Sequence, residues 1–263
     1  MSAPLVTLRG LAVFYAGSSL PALAGIDLDI GRGETLAVIG ESGSGKSTLA
    51  LALAGLLPDD AAVAGRIDGP GFTRPPRPGR DIGFVFQDAG ASLNPVRRVG
   101  AQVAEVARVH LGLSRPAARG HALDLFQRVR LSDPYAAARA FPHQLSGGQR
   151  QRVAIAAAIA AGPALLIADE PTSALDTIVQ AEVVALLNEL VAEAGMTLVF
   201  ITHDIALASG FADRVGVLDQ GRLVEAGPIA AVLAAPRDAY TRMLLGCHIG
   251  LDTPPLVGGE AVR

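Results

Sequence analysis

One lysine constrains this chain more than any other residue. Of its 22 Lys and Arg residues only Lys46 is lysine, and it falls inside Gly40-Glu41-Ser42-Gly43-Ser44-Gly45-Lys46-Ser47. The segment fits GxxxxGK[ST]. It lies between residues 35–39, a short apolar run that reads as a buried strand, and residues 46–56, an Ala/Leu-rich run that reads as a helix ended by Pro58. In that setting glycines let backbone N–H groups curl around phosphate oxygens, and the helix N-terminus adds partial positive charge. A compact ammonium fits against β- and γ-phosphates where a planar guanidinium does not, which accounts for the lone lysine. The Ser47 hydroxyl is placed for a magnesium ion. A strand, a phosphate-binding loop and a helix in succession commit this part of the chain to an α/β layer.

The rest of the pattern agrees. Residues 5–9, 11–15 and 23–30 read as short strands of a small antiparallel sheet. Residues 58–81, rich in Pro, Gly and Arg, read as loop. Strands are expected over 82–86, 164–168, 197–201 and 214–218. Helices are expected over 149–161 and 178–194, with a short one near 205–211. The 178–194 segment places Val179, Val183, Leu186, Leu187 and Leu190 on one face, as a helix packed on a sheet should. Strands alternating with helices indicate a parallel sheet. Residues 100–131, helical with a break near Ser114-Arg115-Pro116, interrupt that alternation and read as a separate lobe with the helix that follows.

Composition narrows the function. Half the residues are apolar and 18% are charged, enough to build a core and too apolar for a disordered chain. A net charge of −3 disfavours nucleic acid as a partner. The single cysteine, Cys247, leaves no intrachain disulfide and no cysteine metal cluster. Residues 1–6 lack the pattern of a signal peptide, and no run of about 18 apolar residues is present to span a membrane. The mean hydropathy of +0.39 is nonetheless high, as for a protein that sits against a membrane partner.

Two further motifs carry chemistry. Leu165-Leu166-Ile167-Ala168-Asp169-Glu170 is an apolar strand ending in two acids. At a strand edge beside a phosphate loop, Asp169 belongs to magnesium and Glu170 to the attacking water. Leu145-Ser146-Gly147-Gly148-Gln149 opens a helix, and a Ser-Gly-Gly turn there is a second anion-binding device. One nucleotide cannot easily use both devices within one small domain. The simplest resolution is a dimer in which each subunit's second device caps the nucleotide held by the other.

These motifs, with Thr202-His203-Asp204 after the 197–201 strand, resemble in order and spacing those of the ATP-binding subunits of ABC transporters, over about residues 5–245. The resemblance implies an α/β fold: a P-loop NTPase (RecA-like) core with a small antiparallel β subdomain and an inserted α-helical subdomain. The core would comprise residues 1–87 and 162–230, the helical subdomain 88–161, and a short C-terminal tail 231–263. It also implies roles. Gly40, Ser42, Gly43, Gly45, Lys46, Ser47 and Thr48 would hold ATP, and Tyr15, rather than the adjacent Phe14, would stack on adenine. Ser146, Gly147, Gly148 and Gln149 would form the signature motif, and Asp176 the D-loop, both acting on nucleotide. Glu170, His203 and Gln87 would be catalytic, and Ser47, Gln87 and Asp169 would meet Mg²⁺. His110, His121, His143 and His248 read as surface or packing residues.

A narrower resemblance, to peptide/nickel importers, rests on Gln87-Asp88…Ser92-Leu93-Asn94-Pro95, Phe141-Pro142-His143-Gln144-Leu145, Val179-Gln180-Ala181 and Tyr240-Thr241-Arg242…Leu244-Leu245. Ala89 departs from the usual proline, and the short tail after Leu245 leans toward the compact dipeptide or nickel members. The implied protein is a peripheral ATPase subunit on the cytoplasmic face of the cell membrane. Its partners would be a second ATPase subunit (the same chain or a relative), membrane permease subunits contacting the surface around residues 87–98, and, indirectly, a substrate-binding protein. Arg97 and Arg98 on that surface read equally as contact residues or as solvated charge. The alternatives are a soluble ABC-type ATPase not coupled to transport and an importer of another solute.

Overall fold

The computed structural model describes residues 4–173 and 175–247. The N-terminal strands β1 (Pro4–Phe14) and β2 (Leu23–Gly31) pair antiparallel. Where the sequence suggests two strands over 5–15 there is one. Gly10, at φ 58, makes a bulge between Leu8 and Leu11, so the strand bends without ending. Next come β3 (Thr35–Ile39) and α1 (Lys46–Ala54). The helix stops before Pro58, because Gly55 at φ 67 takes the left-handed C-cap and its N–H closes on the last turn. The expected loop 58–81 contains β4 (Ala62–Asp68), which pairs antiparallel with the other edge of β1. Every residue of β4 is exposed, so no apolar alternation marks it.

From β5 (Ile82–Val85) the chain leaves the sheet through five helices. These are α2 (Ala89–Ser92), α3 (Val99–Leu111), α4 (Arg115–Arg128), α5 (Pro134–Arg139) and α6 (Gly147–Ile159). It returns at β6 (Leu165–Asp169), then follows α7 (Thr177–Ala194), β7 (Thr197–Ile201), α8 (Ile205–Ser209), β8 (Arg214–Asp219) and β9 (Arg222–Pro228). Two helices, α9 (Ile229–Ala234) and α10 (Ala239–Cys247), stand where the sequence suggests a tail.

The main sheet runs β5-β6-β7-β3-β8-β9, parallel except for β9, which is antiparallel to β8. Every residue of β3, β6 and β7 is buried, as strands covered on both faces must be. On one side α1 and the small sheet share a core with Val38, Ile167 and Val199. On the other, α3, α4, α6 and α7 share a core with Leu166, Leu198 and Phe200, built around the fully buried Phe126. Because β3, β5, β6 and β7 are parallel, their carboxyl ends lie along one edge. That edge is where open α/β sheets bind ligands. Gly40, Gln87, Asp169-Glu170 and Thr202-His203 all follow these strand ends.

Candidate active site

The loop 40–47 owes its course to its glycines. A Cβ on Gly40 would stand 2.2 Å from the Leu218 carbonyl oxygen of β8, and one on Gly45 would stand 2.6 Å from that of Ala22. Gly45, at φ 104, is the N-cap of α1 and offers no side-chain cap, so the first amides of the helix stay open to a ligand. The Lys46 side chain curls back over the loop, and Nζ donates to the carbonyls of Gly40 and Glu41, each at 2.8 Å. Lys46 is buried, and desolvation lowers its pKa below that of an ordinary lysine, against the pull of the Glu170 and Asp169 carboxylates.

The loop forms one wall of a cavity of about 700 Å³, and Gln87, Glu170 and His203 line it opposite. Asp169 ends β6, 6% exposed, and its Oδ1 is buried with no hydrogen-bond partner among the described residues. Burial raises its pKa; the Ser47 hydroxyl works against that, while the neighbouring Glu170 adds to it. An orphaned carboxylate oxygen beside a serine hydroxyl is a donor set that a hard divalent cation fits.

Glu170, the next residue, has φ 43, a left-handed backbone rare for a side chain of its size. Its N–H still donates to the Ile201 carbonyl at 3.0 Å, so the strain sits at the turn leaving the sheet. Glu170 Oε2 accepts from Gln87 Nε2 at 3.3 Å and lies 3.6 Å from His203 Nδ1. Glutamine, glutamate and histidine from three strand ends thus meet at one oxygen.

Other expected residues stand elsewhere. Tyr15 does not line the cavity; its hydroxyl is 3.2 Å from Thr48 Oγ1, on the first turn of α1. Ser146 caps α6: Oγ accepts the Gln149 amide at 3.2 Å, and Gln149 Oε1 accepts the Ser146 amide at 2.9 Å. A Cβ on Gly148 would press to 2.9 Å from Val179, so the turn abuts the start of α7. The Asp176 carboxylate caps that helix through the Val179 amide at 3.0 Å. None of Ser146, Gly147, Gly148, Gln149 and Asp176 lines the cavity of its own chain. Ala174 and His248 lie outside the described residues. His121 Nε2 is 2.8 Å from the Ala160 carbonyl oxygen, and His143 stacks on Phe141, as packing residues would. Arg97 pairs with Glu105 at 2.5 Å, and Arg98 lies over the Phe141 ring at 6.0 Å. Sequence reasoning missed Leu244 and Ala22 on the cavity wall and Tyr240 behind the loop. No local signal links residues so distant in sequence to the motif.

Known proteins are similar to this chain over most of its length. The pattern of the family described as ABC transporter matches residues 23–173. The peptidoglycan transport ATP-binding protein YejF of Agrobacterium fabrum is 40% identical over 99% of this chain, which spans about half (51%) of that protein. The oligopeptide transport ATP-binding protein OppD of Bacillus subtilis is 40% identical over 95% of this chain, which covers 73% of it. Among solved structures, the dimeric ATP-binding cassette MJ0796, in a post-hydrolysis state bound to ADP and phosphate, superposes with a TM-score of 0.74. It is 32% identical, over 85% of this chain and 98% of its own.

Proposed function

The chain belongs to the ABC transporter family and is an ATPase of it, and on that premise we propose that it powers peptide import as one of two ATPase subunits beneath separate membrane subunits. The observation that carries the chemical reading is the convergence of the lysine loop, Gln87, Glu170 and His203 on one cavity, with the orphaned Asp169 Oδ1 buried behind it beside Ser47. The loop amides and Lys46 hold the β- and γ-phosphates of ATP. Ser47, Asp169 and Gln87 would hold Mg²⁺, which when bound would offset charge on the phosphate oxygens. Glu170 takes the proton of the attacking water as its oxygen bonds to the γ-phosphorus and the bond to the ADP oxygen breaks. Gln87 and His203, on Glu170 Oε2, orient that carboxylate and report the γ-phosphate. Tyr15, tied to Thr48, stacks on adenine.

Ser146, Gly147, Gly148, Gln149 and Asp176 act on the nucleotide of the partner subunit, which is why they stand apart from the cavity of their own chain. Residues 88–161 carry the signature turn as a helical arm on the core of 1–87 and 162–230. Permease subunits dock on the surface around residues 87–98, next to an apolar groove of about 340 Å³ that Ser92 and Leu93 help to line and where Phe86 is exposed. Among the described residues no helix is long and apolar enough to cross a membrane, so membrane subunits would hold the protein at the cytoplasmic face. The names of the relatives favour peptides over nickel.

The test is purification of the tagged chain from membranes. Co-isolated permease subunits, reconstituted in vesicles, should take up labelled peptides only with Mg-ATP. Robust ATP hydrolysis without any membrane partner or peptide uptake would refute the transport reading and leave the ATPase standing.

A further inference from the structure

An element that carries none of the nucleotide-site motifs reaches the phosphate loop. The chain entering α10 is anchored on β9. The Glu225 carboxylate accepts the Arg237 amide at 3.0 and 3.2 Å and the Asp238 amide at 3.2 Å, and Asp238 accepts the Tyr240 amide at 2.8 Å. Leu244 is 8% exposed. It packs in the cluster that includes Ala37 and Ile39 of β3, and its side chain also forms part of the nucleotide cavity wall. From this position the Tyr240 hydroxyl accepts the Glu41 N–H at 3.0 Å.

That N–H shares a peptide unit with the Gly40 carbonyl, and the carbonyl accepts from Lys46 Nζ at 2.8 Å. One peptide plane is therefore gripped from both edges, by the phenol and by the ammonium. The restraint has a purpose. Gly40, at φ 153, gives the plane a freedom that residues with side chains lack. When phosphates draw the ammonium toward themselves, the grip on the carbonyl edge loosens and the tyrosine remains. It keeps the carbonyl, the negative end of the peptide dipole, from turning toward phosphate oxygens that it would repel.

We propose that Tyr240 is a positioning residue for the phosphate loop, acting through the 40–41 peptide unit, so that α10 sets the affinity of the site for ATP; this rests on reading the cavity as an ATP site. Tyr240→Phe removes the hydroxyl and keeps the ring. It should raise KM and Kd for ATP about fivefold, the worth of one net hydrogen bond, with kcat unchanged. It should also speed deuterium exchange at the Glu41 amide without speeding exchange across β3. Glu225→Ala, which loosens the anchor and leaves Tyr240 in place, should move KM the same way by a smaller factor. A lower melting temperature for Tyr240→Phe with wild-type KM and wild-type Glu41 exchange would reduce Tyr240 to packing and overturn the proposal. Lys46→Ala, run alongside, separates the two failures. If it abolishes ATP binding while Tyr240→Phe has no effect, only the positioning role falls. If it binds ATP normally, the reading of the cavity falls and the positioning role with it.

Discussion

The chain contains two Gly-rich turns that open helices, and they treat their orphan amides in opposite ways. At α1 the N-cap is Gly45, which has no side chain to offer, and the first amides face a cavity. At α6 the N-cap is Ser146, and a reciprocal capping box with Gln149 satisfies the Ser146 and Gln149 amides from within. The first end offers its donors to the cavity of its own chain. The second is stable without a ligand, exposed, and away from the cavity of its own chain. A helix end that is satisfied at rest can wait for a ligand delivered on another subunit; an end with open donors needs its ligand close at hand.

The sharpest break of this comparison lies in the chemistry at the first site. Glu170→Gln keeps size and reach but loses the base, so phosphate release should fall by about 10²–10⁴-fold while ATP still binds. On size exclusion with Mg-ATP this variant should run as a dimer, and Lys46→Ala, which weakens binding itself, as a monomer. Near-wild-type turnover in Glu170→Gln would move the base elsewhere, with His203 next in line.

The second site is probed by Ser146→Arg, which fills the turn with a bulky side chain. Hydrolysis should drop roughly 10²-fold, as when a donor to developing charge is removed, with the ATP affinity of the single subunit unchanged. Mixed with Lys46→Ala, it should recover activity at one composite site per dimer. Full activity of either variant as a monomer would show that the two helix ends do not share a nucleotide.

Tyr15→Ala should weaken ATP binding by about 1–3 kcal/mol if the ring stacks on the base. Equal Kd values for ATP and inorganic triphosphate in the wild type would remove Tyr15 from the site.

The smallest effect concerns the buried Asp169. Its folded pKa is raised above that of an ordinary aspartate, chiefly by desolvation. Its contribution to stability is thus complete below about pH 3.8 and is lost as pH rises through the folded value. Asp169→Asn should abolish this pH dependence and raise the nucleotide-free melting temperature at neutral pH by about 2–4 °C per kcal/mol relieved. It should also lose hydrolysis. A lower melting temperature in calorimetry would mean that Lys46 and Ser47 fully compensate the buried charge.

Much of the molecule is legible in its sequence, and what escapes does so for physical reasons. Strands β3 and β7 match the expected bounds because five consecutive buried residues between turn signals leave a continuous apolar run. Strand β4 escapes because an exposed edge of a two-layer sheet needs no apolar face. Helix α5 carries a readable start, with Asp133 capping and Pro134 leading, yet six residues are too few to show a period. Within the site, Gln87 carries no signal alone; only the end of β5 delivers it to Glu170. Tyr240 and Leu244 stand out in the sequence only through a family resemblance, and their place at the site is hidden because the contact that matters spans about 200 residues of chain.

The left-handed backbone at Glu170 has a consequence for directed evolution. A side chain there costs on the order of 1–2 kcal/mol relative to glycine, and asparagine tolerates the conformation better than glutamate. A library screened only for heat resistance will therefore favour Gly or Asn at this codon, and each such winner will have discarded the carboxylate. If Glu170 is the base, as proposed, thermostable descendants of this protein have to be selected on turnover and heat together, or the screen will enrich ATP-binding proteins that no longer release phosphate.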